Sequence, residues 1–455
     1  MSFPPHSKYK TTELDWLPQI PDHWRVVPLK HVASMKGRLG WQGLRADEYT
    51  ETGPYLVTSE HFTNDRIDWQ RCYHVSDDRY DLAPEIQLRP HDLVMMKDGA
   101  AMGKLAYVDH LPGPACLNSH LLLFRPREDC FRNRFLYYVL SSPSFKTFLF
   151  QQRKGTTFFG ISQESMGSFP FIMPPLPEQI AIADFLDRET GKIDSLVEEQ
   201  KRLIELLEEK RQAVISQAVT KGLNSERPMK ITNIDWLEEV PRHWSLSRLG
   251  YATWVRARLG WKGLKADEYV DDGYVFLATP NIKGREIDFD NVNYIDQSRY
   301  EESPEIALQV GDVLLAKDGS TLGTVNVVRY LPRPATVNSS IAVITPGDGL
   351  SGVYLFYLFQ SSYMQATIQR IKGGMGVPHL FQEDLKKFYI PLPPPPEQIA
   401  ITDFLDRETE KLDLLAAQIE TAISKLQERR AALVSAAVNG KIDVRNLVKA
   451  QEAAE

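Results

Sequence analysis

This sequence predicts an α+β chain in pseudo-two-fold internal repeat: two mixed α/β heads separated by two long helices packed as an antiparallel coiled coil. Three observations predict it. The motif RLGWQGLRADEY at 38–49 returns as RLGWKGLKADEY at 258–269. The motif PEQIAIADFLDRET at 177–190 returns as PEQIAITDFLDRET at 396–409. A charge-rich, glycine-poor stretch with apolar residues seven apart follows each copy of the second motif. The period, about 220 residues, is far longer than that of a solenoid, so the unit is a duplicated domain and not an array.

The elements follow in chain order. The first head, 1–177, opens with Asp15-Trp16-Leu17, Pro21 and His23-Trp24. The second, 223–396, opens with Asp235-Trp236-Leu237, Pro241 and His243-Trp244. Runs such as GPYLVTSEHF, HDLVMMKDG and VGDVLLAKDG read as strands closed by turns, with Pro, Gly, Asn and Asp between them. Each head ends in a proline cluster followed by Glu, a helix-start signal. The first helix is expected over 178–222, the second, with a C-terminal tail, over 397–455. In the second, Leu412, Ile419, Leu426 and Leu433 are spaced by seven. In the first the equivalent row is Ile193, Gln200, Leu207 and Val214, with Leu196 and Leu203 expected on the same side. Such rows drive left-handed coiled packing; a helix lying over its own head's core is the alternative. A helix of about 45 residues spans roughly 68 Å.

Composition excludes several classes. With 43% apolar residues the chain has ordinary globular composition, but it contains no 18-residue apolar run, and its start, MSFPPHSKYK, is polar. A membrane span or secretory leader is therefore not expected. Cys72, Cys116 and Cys130 are scattered, odd in number and without zinc spacing, which fits a reducing cytoplasm. The net charge is −7. Residues 178–222 hold 7 basic against 10 acidic side chains and 397–455 hold 8 against 11, so the heads are near neutral. Any basic surface for nucleic acid must be local.

One such surface is suggested in each head. Lys36, Arg38 and Arg45 surround Trp41, and Arg256, Arg258, Lys262 and Lys265 surround Trp261. Cations interleaved with aromatics suit phosphate and base-edge contact, and Gln42 suits adenine. Core tryptophans with a solvated rim of charge are the alternative. The Gly-bracketed loops RKGTTFFG (153–160) and RIKGGMG (370–376) place Lys154, Thr156 and Lys372 where backbone can approach a polymer; plain turns would look the same. The repeated KDG puts Lys97 and Lys317 at strand ends.

No catalytic constellation is legible. GAAMGK at 99–104 is one residue short of a phosphate loop, and Thr324 replaces Lys104 in the second copy. HExxH, CxxC, GxSxG and the Asn/Asp-Pro-Pro-aromatic motif of amino-methyltransferases do not occur. No metal ligand set is read; His23 and His243 sit in repeated Pro-x-His-Trp turns and read as structural.

The head openings DWLPQIPDHW and DWLEEVPRHW and the junctions PPLPEQIAIADFLDRETGKID and PPPPEQIAITDFLDRETEKLD make the chain resemble the specificity subunit of type I restriction–modification systems, over nearly its whole length. The resemblance implies that each head is a target-recognition domain reading one half of a split double-stranded DNA site. It implies that the helices set the spacer and dock two modification subunits. Those partners would bind S-adenosylmethionine and methylate adenine, and a further restriction subunit would use ATP and Mg. The chain itself would hold no cofactor and catalyse nothing alone. A specificity partner for a non-type-I modification enzyme, or a coiled-coil scaffold without DNA binding, are the rival readings.

Overall fold

In the computed structural model the described residues are 3–37, 48–153, 159–234, 237–257, 268–371 and 378–445. They form two compact units, Met1–Gln200 with Thr421–Glu455, and Lys201–Glu420. Each unit therefore contains one head and part of both long helices.

The first unit opens with an antiparallel hairpin, Tyr9–Leu14 against Leu17–Pro21. Its main sheet has four antiparallel strands in the order Leu105–Tyr107, Leu93–Met96, Leu121–Pro126, Ala33–Lys36. Both faces of this sheet are covered, and side chains alternate between them. Leu93, Met95, Leu122 and Phe124 face one core, built with the helix Asn133–Ser141 and the long helices. Val94, Leu121 and Leu123 face a second core, shared with a three-stranded sheet in which Ala115–Leu117 pairs parallel to Thr50–Val57. The second unit repeats the scheme. Val313, Leu315, Ala342 and Ile344 face one core; Leu314, Ala316, Ile341 and Val343 face the other.

The long helices run over Leu176–Lys221 and Pro395–Val438. Proline is harmless in a first turn because those N–H groups have no helical partner. Gly222 ends the first helix in the left-handed conformation (φ 74°) and donates to Ala218 O at 3.1 Å. Gly440 does the same after the second (φ 68°). A Cβ there would lie 2.4 Å from Pro21 Cδ and 3.0 Å from Trp24, so only glycine fits.

The helices pack antiparallel. In the first unit Arg430 pairs with Asp194 (2.8 Å); in the second, Arg211 approaches Asp413 (3.5 Å). Of the residues expected on the seam, Ile193, Leu412 and Ile419 are buried, and Leu207, Val214, Leu426 and Leu433 are half-buried. Leu196 and Leu203 depart from expectation. They are 45% and 41% exposed, because the second row of the seam lies four residues after the first, at Val197 and Ile204, not three. The helix ends also enter the head cores. Ile182, Phe185, Leu186, Val434 and Val438 join the first, and Ile215, Val219, Ile401 and Leu405 the second. The alternative reading, a helix over its own head, is thus true of the N-terminal ends, whereas each C-terminal end enters the core of the other head. The tail continues this, burying Ile442 and Val444 in the first unit.

Candidate nucleic-acid interface

The antiparallel order of the main sheet gathers the sequence-selected segments at one end. Lys36 lies opposite Leu123, and Leu121 opposite Met96. The C-terminal ends of strands Ala33–Lys36 and Leu93–Met96 and the start of Leu121–Pro126 therefore share one edge. Lys36, Lys97–Gly99 and Asn118–His120 meet there. Asp98 forms a β-bridge with Gly160, Gly99 N–H donates to Phe159 O (2.8 Å), and Ile161 N–H donates to Lys97 O (2.8 Å). The chain returning from the Gly-bracketed loop is thus zipped onto the same edge.

The second unit does likewise. Asp318 bridges to His379, Gly319 N–H donates to Pro378 O (2.9 Å), and Leu380 N–H donates to Lys317 O (2.9 Å). Lys317 N–H donates to Ser340 O (2.8 Å), as Lys97 N–H does to His120 O (2.9 Å).

The aspartate of KDG organises this edge, whereas the sequence singled out the lysine. Asp98 Oδ1 accepts from His120 Nδ1 at 2.6 Å, and Asp318 accepts from His379. Lys97 is half-buried. Lys317 is 9% exposed and folds back on its neighbour, Nζ to Asp318 Oδ2 at 3.1 Å. Lys36 is exposed at the edge.

Arg256 departs from its expected place. It lies inside the second head, 5% exposed, donating to both oxygens of Asp312 (3.0 Å each), to Glu305 O (2.9 Å) and to Thr345. A guanidinium so enclosed braces strands and leaves no donor face for phosphate. The equivalent brace in the first head is Arg125 with Asp92 (2.7 and 2.6 Å), which is why Lys36, at the position matching Arg256, stays outside. Arg38, Trp41, Gln42, Arg45, Lys154, Thr156, Arg258, Trp261, Lys262, Lys265 and Lys372 lie outside the described residues.

GAAMGK is a β-hairpin turn. Gly103 N–H donates to Met96 O (2.8 Å), the flanking strands pair antiparallel, and Lys104 Nζ donates to Phe62 O (2.8 Å). A phosphate loop needs a helix N-terminus behind it, and none follows here.

The junction motifs prove to be braces between head and helix. Gln179, fully buried, accepts from Arg132 N–H (3.0 Å) and donates to Pro174 O (2.9 Å). Gln398 accepts from Ser351 N–H (2.7 Å) and donates to Gly349 O and Pro393 O (2.9 Å each). His23 Nε2 meets Glu178 Oε2 and His243 Nε2 meets Glu397 Oε2, each at 2.7 Å, so the Pro-x-His-Trp turn and the PEQ junction are one contact. Trp24 and Trp244 are buried beside them.

A duplicated head whose sequence-selected segments converge on one sheet edge, joined to long paired helices, defines a class of recognition subunit. The description "Type I restriction modification DNA specificity domain" matches residues 21–206 and 264–425. The chain belongs to that family. It is 22% identical over 434 residues to the type I restriction enzyme MjaVIII specificity subunit of Methanocaldococcus jannaschii, covering 94% of this chain and 95% of the relative. It is 21% identical over 434 residues to the EcoKI specificity subunit of Escherichia coli K12, covering 93% and 90%. Two solved structures share its fold. A chain from a study of complex assembly and conformational transition of the type I R-M system has a TM-score of 0.70 at 16% identity, covering 93% of this chain and 99% of that one. The HsdS subunit from Thermoanaerobacter tengcongensis has a TM-score of 0.50 at 16% identity, covering 93% and 98%.

Proposed function

We propose that this chain is the DNA-reading subunit of a type I restriction–modification complex. Each head reads one half of a split double-stranded site, and the length of the paired helices sets the spacer. The observation that carries this is the convergence, in both heads, of Lys36 or its counterpart's strand end, the KDG turn and the returning Gly-bracketed loop on one sheet edge. Side chains grouped on one rigid edge can track phosphates and reach base edges together.

The chain catalyses nothing alone. Two modification subunits supply S-adenosylmethionine-dependent adenine methylation, and a restriction subunit, where present, supplies ATP- and Mg-dependent cleavage. The long helices offer apolar docking surface for them: Leu196 in the first unit, and Leu203, Leu206, Leu414 and Leu415 in the second, are all more than 40% exposed. Among the described residues no helix is long and apolar enough to cross a membrane, in keeping with work on DNA in the cytoplasm. Because the heads share RLGWxGLxADEY, the half-sites are similar and inverted, and Gln42 against Lys262 accounts for part of their difference.

The test is DNA affinity of the chain assembled with its modification subunit. Binding to the cognate site falls steeply with salt, and Lys36→Glu weakens it while leaving the melting temperature unchanged. Salt-independent binding, or none by a folded complex, would contradict the proposal.

A further inference from the structure

The geometry points to a divalent transition-metal site, of the zinc type, formed by His6, His23 and Glu178 in the first unit. One ligand atom from each lies within 4.8 Å of the others. His6 Nε2 is 3.7 Å from Glu178 Oε1, and His23 Nε2 is 2.7 Å from Glu178 Oε2. In a tetrahedral zinc site with bonds of about 2.1 Å, adjacent ligand atoms stand about 3.4 Å apart, a spacing that small side-chain rotations reach from here. Two imidazoles and a carboxylate suit Zn²⁺, Co²⁺ or Ni²⁺, leaving a fourth position for water.

The buried imidazole is the independent sign. His6 is 5% exposed, yet neither of its ring nitrogens has a hydrogen-bond partner. An unsatisfied buried polar ring is costly. Its Nδ1 faces Asp443 Oδ2 at 3.8 Å, placed to accept a hydrogen bond from Nδ1–H and so favour the tautomer that turns Nε2 to the metal. Arg445 lies 4.0 Å from Glu178 but is held by Asp443 at 2.6 Å.

The second unit shows what the first lacks. There Arg227 Nη1 sits 2.7 Å from His243 Nε2 and 3.2 Å from Glu397 Oε2, a built-in cation against the same His–Glu pair. In the first unit the ring of His6, without a hydrogen-bond partner, stands beside the pair instead, and the nearby Arg445 is engaged by Asp443. A bound metal would tie the N-terminal segment, the Pro-x-His-Trp turn and the start of the first long helix together, with Asp443 of the tail behind it.

The test uses the untagged full-length chain, stripped with a chelator and titrated with Co²⁺ and Zn²⁺. One equivalent of Co²⁺ gives the visible bands of a four-coordinate site, Zn²⁺ displaces it, and Zn²⁺ raises the melting temperature reversibly. His6→Gln and His23→Gln abolish the bands; His243→Gln retains them. His6→Arg, which copies the Arg227 arrangement, folds, binds no Co²⁺ and melts independently of chelator. Absence of stoichiometric binding by the wild-type chain, or bands that persist in folded His6→Arg, would overturn the site.

Discussion

Across the two units the carboxylates keep their places while the donors that meet them move. Asp92 is met by Arg125 from one strand, and Asp312 by Arg256 from the neighbouring strand. Asp98 is met by His120 and Asp318 by His379. Asp187 receives Arg134 (2.6 Å) and the hydroxyl of Tyr138, whereas Asp406 receives Arg329 (2.8 Å) and that of Tyr357. A buried or half-buried carboxylate needs a hydrogen-bond donor but not a particular address for it. Arg256→Ala strands the fully buried Asp312 and costs about 3–5 kcal/mol in urea unfolding. His61 gives a pH prediction. Its Nδ1 accepts from Thr58 N–H (3.1 Å), and burial holds its pKa below the ordinary 6.5. The folded state resists protonating it, so its contribution is complete above about pH 6.5 and is lost as pH falls below that value. Asn281 does the same job in the second unit, accepting from Ala278 N–H (2.8 Å). His61→Asn therefore keeps the fold and flattens the decline of stability between neutral and acid pH, read by thermal melts. These partner exchanges explain why site residues were only partly legible. The repeat drew attention to Lys36 and Arg256 as equivalents, but their roles differ because Arg125 stands in one head where Thr345 stands in the other.

The long helices were the most legible elements, since seven-residue spacing and the Pro-Glu start are local signals. Leu176–Lys221 and Pro395–Val438 begin within the expected proline clusters. The seam's second row was not legible. A heptad fixes one row, while the other can lie three or four residues on, and both Leu196/Leu203 and Val197/Ile204 offer apolar side chains for it. Packing chose the latter, which leaves the leucines outside. Leu196→Glu or Leu203→Glu consequently changes the stability of the isolated chain by no more than about 0.5 kcal/mol. The same variants weaken capture of the modification subunit, measured by titration calorimetry. The PEQ junction acts at this scale too. Gln179→Leu leaves Arg132 N–H and Pro174 O unpaired inside the protein and costs about 1–3 kcal/mol.

For the whole molecule the duplication is the main fact, and it was legible throughout: two heads of one design imply two readings of DNA in one complex. What stayed hidden was how the head residues converge, because strand order brings together segments far apart in the chain, from Lys36 to Gly160. Removing one helical turn from both long helices shortens the spacer and leaves the half-site sequences unchanged. The measurement that tests the account most directly is the adenine methylome of a methylation-free host expressing this chain with its modification subunit. The account predicts one split motif of fixed spacing, with similar inverted halves, that vanishes when the chain is omitted. A methylome without such a motif, while the modification subunit is folded, cofactor-loaded and bound to the chain, would contradict it.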